Sequence, residues 1–203
     1  MNAFHFNRQS SRPRRGFNLL ELLIVITIIG ILASIMAPAL TAVGRHVKNT
    51  RAKSTALDLT NAINTYFTEY RKLPYQASES DDAEISLNSD QTLMNVLCAS
   101  PSEMEENGLS PRGIVFFTGG NAKPLGEGRF HSGLKIAEDG SVELFDPWGE
   151  YYRVILDGDS NGRIKKPSWD KTNSSYEIAN SILVWSPGPD GEDEEAKDNV
   201  KTW

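Results

Sequence analysis

Residues 17–37 read FNLLELLIVITIIGILASIMA, and this stretch decides the fold. It is apolar except for Asn18, Glu21, Thr27 and Ser34, with Gly30 in its middle. As a helix it covers about 30 Å, the thickness of a hydrocarbon core. Arg8, Arg12, Arg14 and Arg15 precede it with no acid among them. Such a basic leader predicts an N-terminus held in the cytoplasm, a single pass through the inner membrane and a body on its far side, in the periplasm. A conventional secretory signal is the alternative and requires a small-residue cleavage site after the apolar run. Ala33, Ser34 and Ala37 supply only a weak one, and the run is long for a signal peptide.

Charge is divided along the chain. The formal net charge is -6, and the leader's four arginines leave -10 for residues 17–203. A basic head before an apolar run and an acidic body suits orientation across a membrane. No basic patch interleaved with aromatics follows, so nucleic acid is not an expected partner. The single cysteine, Cys98, permits no intramolecular disulfide and reads as a small buried hydrophobe in an apolar segment.

Glu21 breaks the apolar pattern. A carboxylate in hydrocarbon costs a few kcal/mol, so it needs a partner or a wet position at the interface. Arg15, Gly16 and Phe17, with Glu21 fifth after Gly16 and the apolar run behind it, resemble the cleavage and methylation motif of type IV prepilins and type II secretion pseudopilins. Pro38 falls where that family commonly bends its helix. The resemblance implies that a prepilin peptidase cuts between Gly16 and Phe17 and that the Phe17 amine is N-methylated. It also implies that Glu21 of one subunit neutralises the Phe17 ammonium of a neighbour. Each charge is costly in lipid, and pairing between subunits relieves the cost only in the correct register. Glycine at 16 leaves the backbone open to close approach by the peptidase.

Beyond Pro38 the pattern becomes amphipathic. Leu40, Val43, Val47, Leu59, Ile63, Tyr66, Phe67 and Tyr70 recur at helical spacing. Pro38 need only kink the helix, and Pro74 predicts its end near Lys72. The organisation expected is a leader (1–16), a transmembrane helix half (17–37), an amphipathic half (38–72) and a globular head (73–203). The segment 56–66, with Glu69, Tyr70 and Pro74, is most similar to the major, G-type pseudopilins of type II secretion.

In the head, residues 76–92 and 101–111 read as loops, and 90–99 as a short helix capped by Asp90. Residues 113–118 are a strand candidate. Residues 119–128 are a flexible glycine-rich turn region whose spacing is wrong for a phosphate loop. Residues 142–145 and 151–156 are strands on either side of the turn Asp146-Pro147-Trp148-Gly149, and 182–185 is a last strand. That Asp-Pro-Trp-Gly turn also resembles a hallmark of G-type pseudopilins. The fold class expected is α+β, pilin-like: a long N-terminal helix on a small antiparallel sheet, with an acidic loop at the C-terminal end.

Two acidic stretches are candidate metal sites. Asp157, Asp159 and Asn161, followed by Gly162 and a hydrophobe, are similar to the start of an EF-hand loop. The twelfth position is Ser168 rather than a bidentate glutamate, and a solvated β-hairpin turn is the simpler reading. The second stretch runs from Ser186 to Trp203. A carboxylate run near a chain end is ordinarily a solvated tail. Here Gly188, Pro189, Asp190, Gly191 and the final Trp203 resemble the calcium loop of G-type pseudopilins. That resemblance implies Asp190 and Asp198 as side-chain ligands, with Asn199 and a backbone oxygen near Pro187 completing the site. Oxygen ligands without His or Cys suit calcium.

His5, His46 and His131 have no metal spacing, and no nucleophile signature is present, so an enzyme is not expected. The resemblance implies a structural subunit of a type II secretion pseudopilus. Its partners would be copies of itself and other pseudopilins, the prepilin peptidase and an inner-membrane assembly platform. Two alternatives remain: a type IV pilus pilin, or a signal-anchored calcium-binding or enzymatic module that never polymerises. The single cysteine disfavours the pilin, because major pilins commonly end in a disulfide-bounded region.

Overall fold

A computed structural model describes residues 18–76, 83–105, 108–172, 175–193 and 197–203, with the backbone alone at 35 and 37–41. Two compact units divide the chain, Met1–Gly44 and Arg45–Trp203.

Helix α1 spans Leu19–Tyr70 and does not stop at Pro38. In the first unit its opening is capped by Asn18. The Asn18 side chain accepts from the Leu20 amide at 3.3 Å, and its carbonyl accepts from the amides of Glu21 and Leu22. The Thr27 and Ser34 hydroxyls donate back to the Leu23 and Ile31 carbonyls, so this apolar half exposes few unsatisfied donors. Its Leu, Ile and Val side chains lie exposed on every face, from Val25 at 43% to Leu19 at 82%. No helix among the described residues is long and apolar enough to cross a membrane. The side chains described in this half run without a break only from Leu19 to Ser34, short of the ~20 residues a span requires.

In the second unit α1 buries Ala52, Ala56, Leu59, Ala62, Ile63 and Tyr66. The stripe read from the sequence was only half right. Leu59, Ile63 and Tyr66 are core and Tyr70 packs half-buried against it, but Val47 is 59% and Phe67 39% exposed. Val43, in the first unit, is 60% exposed, and the Leu40 side chain lies outside the described ones. Alanines take the remaining buried positions, where their small side chains admit a neighbouring layer at close range. The helix ends two residues before Lys72: Arg71 turns to a φ of 56° while its amide still reaches the Phe67 carbonyl.

Among the described residues, the head adds helix α2 (Gln91–Leu97), a 3₁₀ turn (Pro101–Met104) and ten strands. These are β1 (Glu84–Asn88), β2 (Lys123–Gly126), β3 (Arg129–His131), β4 (Gly133–Ile136), β5 (Val142–Phe145), β6 (Arg153–Asp157), β7 (Ile164–Lys165), β8 (Glu177–Ile178), β9 (Ile182–Ser186) and β10 (Val200–Lys201). The main sheet has the order β1-β6-β9-β10, antiparallel throughout, with Ser86 opposite Ile155 and Val154 opposite Val184. Val154, Leu156, Ile182 and Val184 join Leu59, Ile63 and Tyr66 of α1 and Leu93, Met94 and Leu97 of α2 in one core. β9 is buried at all five positions, so it reads as a continuous apolar run rather than an alternating one. The chain is therefore α+β, a long helix with an antiparallel-sheet head, consistent with a pilin-like fold.

Several head elements depart from expectation. Residues 113–118 form no strand; Gly113 turns to a φ of 61°, and the amides of Phe116 and Phe117 both donate to the Leu97 carbonyl. The polar segment 76–92 contains β1, which pairs with β6; β6 buries Val154 and Leu156, while Ile85 and Leu87 of β1 are half-buried. The glycine-rich segment contains β2 of a hairpin closed by Glu127 (φ 51°) and Gly128 (φ 75°). Two consecutive positive φ angles are what a two-residue hairpin turn requires. Asp90 does cap α2, accepting from the Thr92 amide at 3.0 Å. Cys98 is half-buried, its thiol directed at the Phe117 carbonyl at 3.5 Å and pushed up to about 11 by burial. It is a packing residue there, with little thiolate to react.

Candidate assembly and metal sites

Of the three residues expected to govern processing and assembly, Gly16 and Phe17 lie outside the described residues. Glu21 is in the first turn of α1, exposed, with its amide bonded to the Asn18 carbonyl. A carboxylate there also faces the positive end of the helix dipole. Asn18 as the cap was not singled out from the sequence, although an Asn directly before an apolar helical run is the ordinary signal.

The Asp-Pro-Trp-Gly turn is built around Asp146, which is fully buried. Its Oδ1 accepts from the amides of Trp148, Gly149 and Glu150 at 2.8 to 2.9 Å. Its Oδ2 accepts from the Ser186 hydroxyl at 2.5 Å, and Ser186 Oγ in turn accepts from the Gly188 amide at 3.1 Å. Burial pushes the Asp146 carboxyl up, against the pull of the serine hydroxyl and the turn amides. Gly149 sits at φ 104°, and a side chain there would approach the Phe130 carbonyl to 2.9 Å. One carboxylate thus fixes the turn and anchors the start of the acidic loop after β9.

That loop sets the Asp198 carboxylate beside that of Asp190. Gly188 packs so closely that an added Cβ would lie 2.5 Å from the Asp198 carbonyl oxygen. Pro187 is buried beside it. Burial and the neighbouring Asp190 carboxylate both push the Asp198 carboxyl up. Asp198 Oδ1 and Asn199 Oδ1 are buried without a hydrogen-bond partner among the described residues. The Asp190 and Asp198 carboxylates, the latter with one orphaned oxygen, and the Asn199 amide oxygen are donors of the kind that fit a hard cation. Among the described residues, no group of three or more His, Cys, Asp or Glu is gathered as a metal centre, so such a site would draw on the amide and backbone oxygens as well.

The other acidic stretch is engaged with its own backbone. Asp157 is buried, and its two oxygens accept from the amides of Asn161 and Gly162. Asp159 accepts from the Asn161 amide and side chain, and Asn161 Oδ1 from the Arg163 amide. These bonds lower the Asp159 carboxyl. The turn leads from β6 to β7, which pairs with β8 and not with β6, so it is not the tip of a simple hairpin.

A feature not anticipated is the packing around the last residues. Trp169, Trp185 and Trp203 form a ring cluster with centroids 5.7 to 6.0 Å apart. Asp170 is buried beneath it and accepts from Lys201 Nζ at 2.7 Å and Trp203 Nε1 at 2.8 Å, while its other oxygen takes the Thr172 amide and hydroxyl. Burial pushes the Asp170 carboxyl up, but Lys201, Thr172 and Trp203 outweigh it and hold it well below the usual carboxylate range. A carboxyl depressed on folding stabilises fully above its unfolded value, near 4, and loses that contribution as the pH falls toward the folded one. Asp170→Asn should therefore lower the Tm at pH 7. The gap to the parent should shrink as pH falls below about 4, as thermal melts across a pH series would read. A gap constant with pH would contradict it. Asp193 joins the same cap, accepting from Trp185 Nε1 at 2.8 Å and Arg153 Nε at 2.9 Å.

With this geometry in view, comparison with known proteins gives two findings. Residues 11–37 match the prokaryotic N-terminal methylation motif, so the N-terminal segment is of the prepilin type. The chain is also 35% identical over 66 residues to the type II secretion system core protein G of Pectobacterium carotovorum subsp. carotovorum. That match covers 32% of this chain and 42% of the relative, less than half of either. Together they support a type IV prepilin-like protein similar to the G-type pseudopilins. No solved structure matches.

Proposed function

We propose that this chain is a structural, non-catalytic subunit of a type II secretion pseudopilus. The observation that carries the reading is the methylation motif over residues 11–37 with Glu21 held in the first turn of a long helix. Prepilin peptidase removes residues 1–16 at the Gly16–Phe17 bond, and the Phe17 amine is methylated. The helix half 17–37 anchors the subunit in the inner membrane and then packs among other pseudopilins. The half 38–72 carries the head, 73–203, in the periplasm. Subunits are added by an inner-membrane assembly platform. Glu21 gives each incoming subunit a register, because its carboxylate meets a neighbour's chain-end ammonium at one axial offset only. In the full chain co-expressed with a prepilin peptidase and the assembly machinery, Gly16→Ala should retain the leader and yield no filaments by shearing. Filaments from an uncut chain would refute the reading.

We also propose that the loop after β9 holds calcium through Asp190, Asp198, Asn199 and the Pro187 backbone. Support comes from the two orphaned oxygens and the paired acids. Bound calcium would supply positive charge to neutralise the two carboxylates and tie the loop to the sheet. Asp190→Ala should lower the head's Tm in calcium and leave it unchanged in EDTA; an equal loss in both would speak against a metal. The turn at Asp157, Asp159 and Asn161 is a poorer candidate, since its oxygens are already taken by amides.

A further inference from the structure

Between Glu21 and Asp58 the helix carries no acid, and its charges are Arg45, Lys48, Arg51 and Lys53, with His46 among them. All five are exposed. Arg51 donates to the Ser132 carbonyl at 3.3 Å and Lys48 lies 6.0 Å from the Trp148 ring, so both contact neutral groups. Among the described residues, no ion pair involves any of the five. Apart from this +4 belt, residues 17–203 carry -14. In the head, Glu127, Glu138 and Glu192 are exposed with no cation in ion-pair reach among the described residues.

We infer that the basic belt at 45–53 docks against the acidic head surface of a second copy, an inference that rests on the pseudopilus reading. A basic belt and a net-acidic head on one chain do not satisfy each other across a two-fold axis. They pair head to tail, and a heterologous contact that does not close propagates as a filament. Exposed ion pairs are individually weak and screened by salt, so the belt sets orientation and speed of docking more than its ultimate strength. Anionic lipid headgroups are the other surface such a belt could meet.

The test uses the full chain in cells with its peptidase and assembly machinery, carrying Arg45→Glu, Lys48→Glu and Lys53→Glu together. Leader removal and the head's Tm should match the parent. Sheared-filament yield should fall about tenfold, the sum of three such pairs at 1.4 kcal/mol per decade. In parent filaments of isotopically mixed subunits, carbodiimide should join Lys48 or Lys53 of one copy to a head carboxylate of another. Parent-level yield in the variant, or cross-links confined to one copy, overturns the inference. So does weakened binding of the mature variant to phosphatidylglycerol vesicles with yield unchanged, which would assign the belt to lipid. A parent chain that keeps its leader and makes no filaments takes down the pseudopilus reading itself.

Discussion

Glu21→Ala is expected to leave the leader removed and the head folded while sheared-filament yield drops by roughly a hundredfold. The direction follows from where the charges are paired. Alone in lipid, the variant monomer is better off, since the carboxylate's cost of about 2.5–3.5 kcal/mol is gone. In the filament, a neighbour's Phe17 ammonium then has no counter-charge and keeps its own burial cost. The balance between membrane and filament shifts against assembly by about that amount, which is near two decades in an equilibrium. The exposure of Glu21 at the start of α1, free of any described intrachain ion pair, leaves it available for a neighbour. Glu21→Asp, charged but shorter, should recover part of the yield. Wild-type filament levels in the alanine variant would refute the pairing.

Asp146→Ala should cost the head about 3–5 kcal/mol, a large share of the roughly 5–15 kcal/mol that holds a domain folded. Three turn amides and the Ser186 hydroxyl lose their acceptor in a site with no exposure to water, and each buried unsatisfied donor costs roughly 1–3 kcal/mol. Asn at 146 keeps an oxygen for the amides and turns an N–H toward Ser186 Oγ, so it should cost only about 1–2 kcal/mol. Denaturant melts of the processed chain distinguish them. Equal losses for Ala and Asn would show that the carboxylate's charge, not its acceptor geometry, holds the turn.

The long helix and its apolar half were legible because each rests on local signals: helical spacing, Pro74 as a stop, and a run dominated by Leu, Ile and Val. β5 and β9 were legible for the same reason. What was missed depends on partners distant in sequence. β1 lies in a polar segment because it is an edge strand, satisfied by Arg153–Asp157 across a gap of more than sixty residues. The alanines of the buried stripe carry no periodic hydrophobic signal, yet they decide how closely the head approaches α1. Asp146 read as turn chemistry; its bond to Ser186 joins segments forty residues apart, and no spacing rule displays that. The Trp169, Asp170, Lys201 and Trp203 cluster is non-local in the same way. The proposed calcium ligands were chosen on resemblance. The structure brings Asp190 and Asp198 together, which sequence separation alone did not require.

The most direct test of the account is the intact mass of the chain purified from cells that also express a prepilin peptidase. The account requires a polypeptide starting at Phe17 and heavier by one methyl group at its amine. A chain that still carries residues 1–16, or one trimmed after Ala37, would contradict it.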